Sequence, residues 1–384
     1  MANDLNVEGA VAERYGEAAK AVEPALCCPV DYNPEFLKVL PDEIVERDYG
    51  CGDPSAFVRE GETVLDLGSG GGKICYIAAQ IVGSEGKVIG IDTNAEMLEL
   101  SRKYLDEMSA RLGYANVAFL NGKIQDLRTD RDALDGFLKS NPVSDINTLA
   151  EFEEFSAKQK AVSPLVADES IDVVISNCVL NLVRNEEKAQ MFDEMFRVLK
   201  VGGRAAISDI VSDEDIPEHL RNDSDMWSGC ISGAYREDQF LKAFEDAGFY
   251  GIEIVKRDET PWRTVEGIEF RSVTVLAYKG KQGKCLERNQ AVVYRGPWRK
   301  VYDDDGHYFE RGVRMAVCDK TFKLLQKEPY EGEMIPISPL EDIPLEQAGD
   351  YRRNKNSVRS PRETKGAGYD ATTDESCCGD TGCC

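Results

Sequence analysis

Three cysteines lie where the sequence pattern places a strand end or a connecting loop. Cys178 closes the apolar run "IDVVISNC", Cys230 lies in "SGCISGAY" after the next predicted strand, and Cys51 lies in "YGCGDP" just before the first strand. In an open α/β sheet, ligands bind at the carboxyl ends of the strands. We therefore expect Cys178 and Cys230 to face one cleft, with Cys51 on a loop that folds over it.

Sulfur supplies nearly all of the soft-ligand capacity of this chain. The chain has 12 cysteines but only 2 histidines, His219 and His307, both on acidic, loop-like stretches. Three thiols without a histidine suit a thiophilic, three-coordinate centre better than a hard metal ion. Trivalent arsenic is such a centre, because three thiolates can replace its hydroxyl groups and leave a lone pair at the apex. A lone cysteine is more often a core residue, and we assign Cys75 and Cys318 to the core and no role to Cys285.

A glycine turn follows the first predicted strand. The segment "VLDLGSGGG" closes an apolar strand and opens a helix, the context in which glycines indicate a nucleoside cofactor. Asp92 ends the second strand about 20 residues later, where a carboxylate can accept hydrogen bonds from both ribose hydroxyls. NAD sites share these features, so NAD stays an alternative at this point.

The elements that must position these residues alternate along the chain. Predicted strands and helices follow one another from "ETVLDL" to "RAAISDIV", which indicates a doubly wound, Rossmann-like α/β sheet. We expect an N-terminal lid segment at 1–50, the main domain at 51–280 with a polar surface insertion at 129–163, and a smaller β-rich domain at 281–344. The polar residues 345–384, which end in "CCGDTGCC", are predicted to form a disordered tail.

Charge and hydropathy narrow the choice of partners. There are 46 Lys and Arg against 70 Asp and Glu, a formal charge of −24, which repels phosphate backbones and anionic lipid surfaces. No apolar run approaches the ~20 residues that cross a bilayer, and the N-terminal stretch has no apolar leader core. We expect a cytoplasmic monomer with reduced thiols and with no nucleic-acid or membrane partner.

Four motifs resemble, in order and spacing, those of arsenite S-adenosylmethionine methyltransferases: "YGCG", "DLGSGGG", "SNCVLNL" and "GCISGA". The acid before the glycines, Asp66, is similar to the first motif of class I methyltransferases and sets the turn apart from dinucleotide fingerprints. The resemblance implies S-adenosylmethionine as methyl donor, no catalytic metal ion, and Cys51, Cys178 and Cys230 as catalytic, arsenic-binding thiols. The cofactor positions that it implies are Tyr49, Asp66, Gly68, Gly70, Asp92, Ile124, Gln125 and Asn177.

The same resemblance implies the reaction and an auxiliary thiol. Cys28 in "LCCPVDY" matches an additional N-terminal cysteine of many family members, although Cys27 is an equal candidate. The implied activity is methylation of arsenite or its thiol complexes to mono-, di- or trimethylated products in arsenic detoxification. Glutathione or thioredoxin would restore oxidised thiols. We also expect the catalytic thiols to ionise near the glycine turn.

Two other functions stay open. A class I methyltransferase of a small organic acceptor would leave the cysteines incidental, although the rim segments offer no obvious acid or base for it. A thiol-rich metal sequestrant would act through the paired cysteines of the tail.

Overall fold

The computed structural model describes residues 7–23, 26, 30–366 and 368–370. The chain divides into two units, residues 1–280 and residues 281–384. Within the described residues, no helix combines the length and the apolar character needed to span a bilayer.

The first unit is built on one sheet whose strands alternate with helices. Its strands are β1 (Thr63–Leu67), β2 (Lys87–Asp92), β3 (Val117–Asn121), β4 (Ile171–Asn177), β5 (Leu199–Ser212), β6 (Tyr235–Arg236), β7 (Tyr250–Arg257), β8 (Arg263–Val265) and β9 (Ile268–Tyr278). Its helices are α1 (Val7–Ala18), α2 (Pro34–Leu37), α3 (Asp42–Glu46), α4 (Lys73–Val82), α5 (Ala95–Lys103), α6 (Leu105–Leu112), α7 (Arg131–Ser140), α8 (Ile146–Val162), α9 (Lys188–Val198), α10 (Glu218–Arg221), α11 (Ser224–Ser228) and α12 (Glu237–Asp246).

The sheet is doubly wound. Its strand order is β3-β2-β1-β4-β5-β9-β7, with β6 beside β5 and β8 beside β9. Strands β1 to β5 pair in parallel, so that Val64 lies between Val88 and Val173, whereas β9 runs antiparallel to both β5 and β7. The order reverses between β1 and β4, which is where such sheets bind ligands. The predicted doubly wound α/β sheet is confirmed.

The central strands are apolar because both of their faces are covered. Val64, Leu65 and Leu67 of β1 are fully buried. Helices α9 and α12 contribute aromatic rings to the same core, and the centroids of Phe192 and Phe244 lie 4.8 Å apart in an edge-to-face arrangement. This packing fixes the carboxyl ends of β1, β2 and β4 as a rigid rim.

Helices α7 and α8 form a solvated hairpin within residues 129–163. None of the α7 side chains is buried, and in α8 only Gln159 is. The rings of Phe137 and Phe155 stack with centroids 4.3 Å apart and so hold the two helices together. Gln159 donates to the Arg128 carbonyl at 3.1 Å, which ties the hairpin to the end of the preceding loop.

The second unit consists of short antiparallel strands and two short helices around its own core. Its strands are β10 (Leu286–Glu287), β11 (Ala291–Tyr294), β12 (Lys300–Tyr302), β13 (Tyr308–Glu310), β14 (Arg314–Ala316), β15 (Met334–Ile337) and β16 (Gly349–Asp350), and its helices are α13 (Asp319–Leu324) and α14 (Pro361–Lys365). Strand β11 lies between β14 and β15. Val292, Phe309 and Met315 are buried in the core of this unit.

The ordered part of this unit extends past residue 344, which differs from the predicted start of the disordered tail. Strand β16 pairs with β10, and the side chain of Arg359 is fully buried, with its guanidinium 2.7 Å from Glu287 Oε1. Helix α14 begins with a capping box between Ser360 and Glu363. A polar composition suggested disorder, but its charged side chains are paired inside the fold. The cysteines of "CCGDTGCC" lie outside the described residues.

Candidate active site

A cavity of about 320 Å³ lies at the carboxyl ends of β1, β2 and β4. Its wall includes the turn after β1, the acid at the end of β2 and the loop after β4. All the cofactor positions named from the sequence line it, namely Tyr49, Asp66, Gly68, Gly70, Asp92, Ile124, Gln125 and Asn177. Cys178 also lines this cavity.

The glycine turn passes close to the loop that carries Cys178. Gly68 has φ +73°, and a Cβ atom there would lie 2.3 Å from Cγ1 of Val179. Gly70 also has a positive φ, of +49°. A side chain at Gly68 would therefore be strained and would clash, so only glycine lets the two loops meet at the floor of the cavity.

Asp92 holds the glycine turn and faces the cavity. Its Oδ2 accepts from the Gly70 N–H and its Oδ1 from the Asn94 N–H, each at 2.8 Å. Burial raises the pKa of Asp92, although these backbone hydrogen bonds oppose the shift. Each carboxylate oxygen retains a lone pair. The residues thus fit a nucleoside with two vicinal hydroxyls.

Asp66 is a second buried acid in the cavity wall. Its Oδ2 accepts a hydrogen bond from the Cys75 thiol at 3.2 Å. Burial, with smaller contributions from the nearby carboxylates of Asp48 and Asp92, raises the pKa of Asp66 to about 7, although the hydrogen bond from Cys75 opposes the shift. Cys75, assigned to the core from the sequence, is indeed fully buried and has this carboxyl as its partner.

Cys51, Cys178 and Cys230 form one buried group, which we call the three-thiol cluster. Their exposed fractions are 4%, 5% and 4%. The three side chains pack in one buried cluster. Cys230 Sγ also donates to the Cys178 carbonyl at 3.4 Å. The structure thus brings together three sulfurs from distant segments, with Cys178 in the middle and at the cavity wall.

The two asparagines of "SNCVLNL" hold the loops of the other two thiols. Asn177 Oδ1 accepts from the N–H groups of Cys51 and Gly52 at 2.9 and 3.0 Å. Asn181 Nδ2 donates to the Ile210 carbonyl at 2.6 Å and to the Cys230 carbonyl at 3.5 Å. One amide therefore fixes the Cys51 loop and the other fixes the Cys230 loop.

The backbone at two of these cysteines is left-handed. Cys178 has φ +64° and Cys230 has φ +61°. Non-glycine residues in this region cost of order 1–3 kcal/mol and concentrate at functional sites. The surrounding hydrogen bonds, including Cys178 N–H to the Ser208 carbonyl at 2.8 Å, hold this conformation.

Burial and neighbouring thiols favour the protonated form of two of these cysteines. The nearby thiols of Cys230 and Cys51, together with burial, raise the pKa of Cys178 well above its usual range. Burial raises the pKa of Cys51 as well. For Cys51 and Cys178, these directions are opposite to the expectation that the thiols ionise near the glycine turn.

Sequence reasoning missed Tyr15, whose hydroxyl lies 3.9 Å from Cys230 Sγ. It also lines the cavity. Helix α1 is fixed there because Arg14 donates to the Asp225 carbonyl and to Ser228 Oγ, each at 3.1 Å, on α11. No motif marks this tyrosine, since only the docking of α1 brings it to the thiols.

The buried side chains of Lys188 and Asp209 contact the thiol loops, and no sequence motif marks them. Lys188 Nζ donates to the Gly233 carbonyl in the Cys230 loop, and Asp209 Oδ2 accepts from the Leu180 N–H at 2.9 Å. Burial lowers the pKa of Lys188 to about 7 and raises that of Asp209 to about 7. The two side chains brace the loops of Cys230 and Cys178.

The remaining predicted site residue, Cys28, lies outside the described residues, as does Cys27. Among the residues that the structure covers, no three His, Cys, Asp or Glu side chains are arranged to hold a metal ion. The three-thiol cluster is a group of neighbouring buried cysteines.

Comparisons with known proteins match both units. A family model described as "Methyltransferase domain" matches residues 59–160 and 147–248, and one described as "Domain of unknown function (DUF8838)" matches residues 281–369. An arsenite methyltransferase of Aquipseudomonas alcaligenes is 32% identical over 321 residues, which is 79% of this chain and 82% of that protein.

A human protein and a crystal structure agree with that likeness. The arsenite methyltransferase of Homo sapiens is 28% identical over 324 residues, which is 79% of this chain and 76% of that protein. The crystal structure of an arsenic(III) S-adenosylmethionine methyltransferase from Chlamydomonas reinhardtii has a TM-score of 0.54 and 26% identity, covering 86% of this chain and 100% of that chain.

Proposed function

The chain belongs to the arsenite methyltransferase family, and from that premise we propose that it transfers methyl groups from S-adenosylmethionine to trivalent arsenic bound by Cys51, Cys178 and Cys230. One observation carries the assignment of the site. Cys178 lines the nucleoside cavity and also packs in one buried cluster with Cys51 and Cys230, so a single residue joins the donor site to the acceptor site.

Different residues of the cavity would contact different parts of the cofactor. Asp92 would accept hydrogen bonds from the ribose hydroxyls, Ile124 and Gln125 would contact the adenine, and the glycine turn leaves room for the amino-acid part. When bound, S-adenosylmethionine supplies an electrophilic methyl carbon that the arsenic lone pair attacks, and S-adenosylhomocysteine is left. The acidic wall formed by Asp66 and Asp92 suits the positive charge of the donor.

The protonated thiols explain how arsenite binds without a general base. Each thiol gives its proton to one hydroxyl of arsenous acid, a water leaves, and an arsenic–sulfur bond forms. Three thiols therefore release three waters and yield As(SR)₃ with no net change of charge. The raised pKa values of Cys51 and Cys178 favour this condensation over ionisation.

Arsenic binding requires the sulfurs of the three-thiol cluster to converge on one arsenic atom. Cys178 is central, so rotation of the Cys51 and Cys230 side chains about their Cα–Cβ bonds would bring all three sulfurs around one atom. The loops themselves need not move, because Asn177 and Asn181 fix their backbones. Tyr15, beside Cys230, would close the side of the site formed by α1.

The proposal includes the partners of the reaction. The protein acts as a monomer on arsenite or its thiol complexes, and glutathione or thioredoxin restores thiols that become oxidised. The six cysteines within the described residues are free, which suits a reducing compartment such as the cytoplasm.

The test is incubation of the purified protein with arsenite, glutathione and methyl-labelled S-adenosylmethionine, followed by arsenic speciation. We expect labelled methylarsenicals from the native chain and none above background from Cys178→Ser. If arsenicals stay unmethylated while the native protein labels an organic acceptor, the arsenic assignment is wrong.

A further inference from the structure

Tyr15 lies between the cofactor cavity and the three-thiol cluster, and the function proposed above uses it only to close one side of the site. Its side chain lines the cavity, and its hydroxyl oxygen lies 3.9 Å from Cys230 Sγ. Among the described residues, Cys230 is the one hydrogen-bond partner of this hydroxyl. The contact therefore joins helix α1 to one of the sulfurs that would bind arsenic.

Several contacts fix the Tyr15 ring in addition to the docking of α1 on α11. The Ala12 carbonyl of α1 accepts from Asn94 Nδ2 at 2.9 Å. The rings of Tyr15 and Tyr49 pack edge to face, with centroids 6.3 Å apart and an angle of 83° between their planes. The Tyr49 hydroxyl in turn donates to the Ala18 carbonyl of α1 at 2.9 Å. The hydroxyl of Tyr15 is therefore presented to Cys230 by a ring whose own place is fixed.

The Tyr15 hydroxyl is the donor in its contact with Cys230. A thiol has one proton, and Cys230 Sγ donates it to the Cys178 carbonyl at 3.4 Å, an oxygen that can only accept. The Cys230 sulfur is therefore left to accept from Tyr15 through a lone pair. Burial and the nearby thiols of Cys230 and Cys178 raise the pKa of Tyr15 well above its usual range, so the hydroxyl keeps the proton that it donates.

Arsenic binding removes one hydrogen bond of the Cys230 sulfur and leaves the other. When Cys230 condenses with an arsenic hydroxyl, an S–H bond and an As–O bond break, an S–As bond forms, and the thiol proton leaves in the water. The sulfur can then no longer donate to the Cys178 carbonyl, but it can still accept from Tyr15. Of the two hydrogen bonds, only the one from Tyr15 is compatible with bound arsenic.

We infer that Tyr15 is a positioning residue of the methyl transfer, whose hydroxyl holds the arsenic-bound sulfur of Cys230 in place. The inference rests on the proposed function. A sulfur held in place fixes one of the three arsenic–sulfur bonds and, with it, the direction of the arsenic lone pair. The separation of 3.9 Å is long for a hydrogen bond, and such contacts commonly shorten when the reactants are bound. Tyr15 thus acts through Cys230 and does not itself react.

The first test is kinetic. Tyr15→Phe removes the hydroxyl and keeps the ring that packs on Tyr49. We expect kcat for arsenite methylation to fall about tenfold because the reactants are less well aligned, while KM for S-adenosylmethionine and the thermal shift with S-adenosylhomocysteine stay as in the native protein. Tyr114→Phe is the matched control, because it removes another partly buried hydroxyl, 3.3 Å from the Ala79 carbonyl. It should leave kcat unchanged.

The second test does not depend on methylation. In protein whose cysteines are labelled with ¹³C at Cβ, the chemical shift of Cys230 follows the ionisation of its thiol, and the signal is assigned by its absence in Cys230→Ser. A donated hydrogen bond favours the thiolate, so in Tyr15→Phe the titration midpoint of Cys230 should move up by about one pH unit. It should not move in Tyr114→Phe.

The two readouts together decide the inference. An unchanged midpoint in Tyr15→Phe overturns it, even if kcat falls, because the hydroxyl would then act elsewhere. A raised midpoint with native kcat also overturns it, because the hydrogen bond would then not align the reactants. If the native protein forms no methylarsenical, the proposed function fails and the positioning role fails with it, and the midpoint still shows whether the hydroxyl donates to Cys230.

Discussion

The thiols of the two units differ in number, in backbone geometry and in what lies beside them. In the three-thiol cluster, Cys178 and Cys230 have left-handed backbones and one sulfur lines a cavity of about 320 Å³. In the second unit, Cys318 has an ordinary φ of −74° and its neighbours are the ion pairs of Asp319 with Arg288 and Lys323. Strained backbone accompanies the cysteines for which chemistry is proposed, and relaxed backbone accompanies a cysteine that caps a helix.

The comparison teaches that sulfur alone does not make a catalytic site. Both units contain free cysteines. Only the three-thiol cluster lies next to the glycine turn and Asp92, which can hold a methyl donor. The predictions below test whether the donor cavity and the surrounding packing separate the cysteines of the two units as described.

The largest effect is expected for Cys178→Ser. It removes the central sulfur while leaving a small side chain on the left-handed backbone. Arsenite methylation should fall by at least about a hundredfold, since positioning of reactants supplies several kcal/mol of rate enhancement. The readout is the initial rate of methylarsenical formation. A thermal shift with S-adenosylhomocysteine should be kept, and a near-native methylation rate would remove this residue from the site.

The second largest effect is expected for a substitution in the glycine turn. Gly68→Ala places a Cβ 2.3 Å from Val179 Cγ1 and should cost about 2–4 kcal/mol of unfolding free energy, from left-handed strain plus overpacking. Affinity for S-adenosylmethionine should fall with it. Urea unfolding and cofactor titration measure these two effects.

Gly61→Ala is the matched control, because Gly61 has φ +77° but nothing within 4 Å of the added Cβ. It should show only the strain, about 1–2 kcal/mol, and normal cofactor affinity. If both variants lose cofactor equally, the contact between the turn and the Cys178 loop does not shape the cavity.

A smaller effect is the pH dependence that buried acids give to each unit. Folded Asp66 has a pKa of about 7 against an ordinary 3.8, so between these values the folded chain holds a proton that the unfolded chain has lost. Its contribution to stability is therefore present at low pH and is lost as the pH rises through 7. Asp66→Asn should reduce this loss when unfolding free energies at pH 5 and pH 7 are compared.

Asp319 in the second unit should behave in the opposite way. Burial acts to raise its pKa, but hydrogen bonds from Lys323 and Arg288 hold the pKa below 3.8. Its contribution to stability is therefore present above its ordinary pKa and lost as the pH falls through the folded value. Asp319→Asn should destabilise the chain at pH 7 and flatten its acid transition. Equal pH profiles for the native protein and both variants would contradict these assignments.

The smallest effect is expected for the stability of Cys318→Ser. Serine is a good N-cap and can replace Sγ as the acceptor from Thr321 N–H, so the unfolding free energy should change by no more than about 0.5 kcal/mol. A loss of several kcal/mol in urea unfolding would show that Cys318 serves mainly to pack the core.

The sequence was sufficient to predict those parts of the site that local pattern and sheet topology determine together. A strand, a glycine turn and an acid at the next strand end predicted the cavity wall, and the rule that ligands bind at carboxyl strand ends predicted that Cys178 faces it. The order of motifs then pointed to the family, which the relatives confirm.

The sequence was not sufficient to predict contacts between residues that are distant in the chain. Tyr15 reaches Cys230 only because α1 docks on α11. The raised pKa values of Cys51 and Cys178 were also not predicted, since they depend on which groups are buried around them. Likewise, the sequence places Arg359 in a polar tail, and only the fold brings it to its partner Glu287.

The central claim is that three sulfurs of the first unit bind one arsenic atom. X-ray absorption at the arsenic edge tests it directly, on protein in which Cys27, Cys28, Cys285, Cys318 and the four tail cysteines are serine and one equivalent of arsenite is bound. We predict three sulfur neighbours, falling to two when Cys51, Cys178 or Cys230 is also replaced. Two or fewer sulfurs before that replacement, or no change after it, would contradict the account.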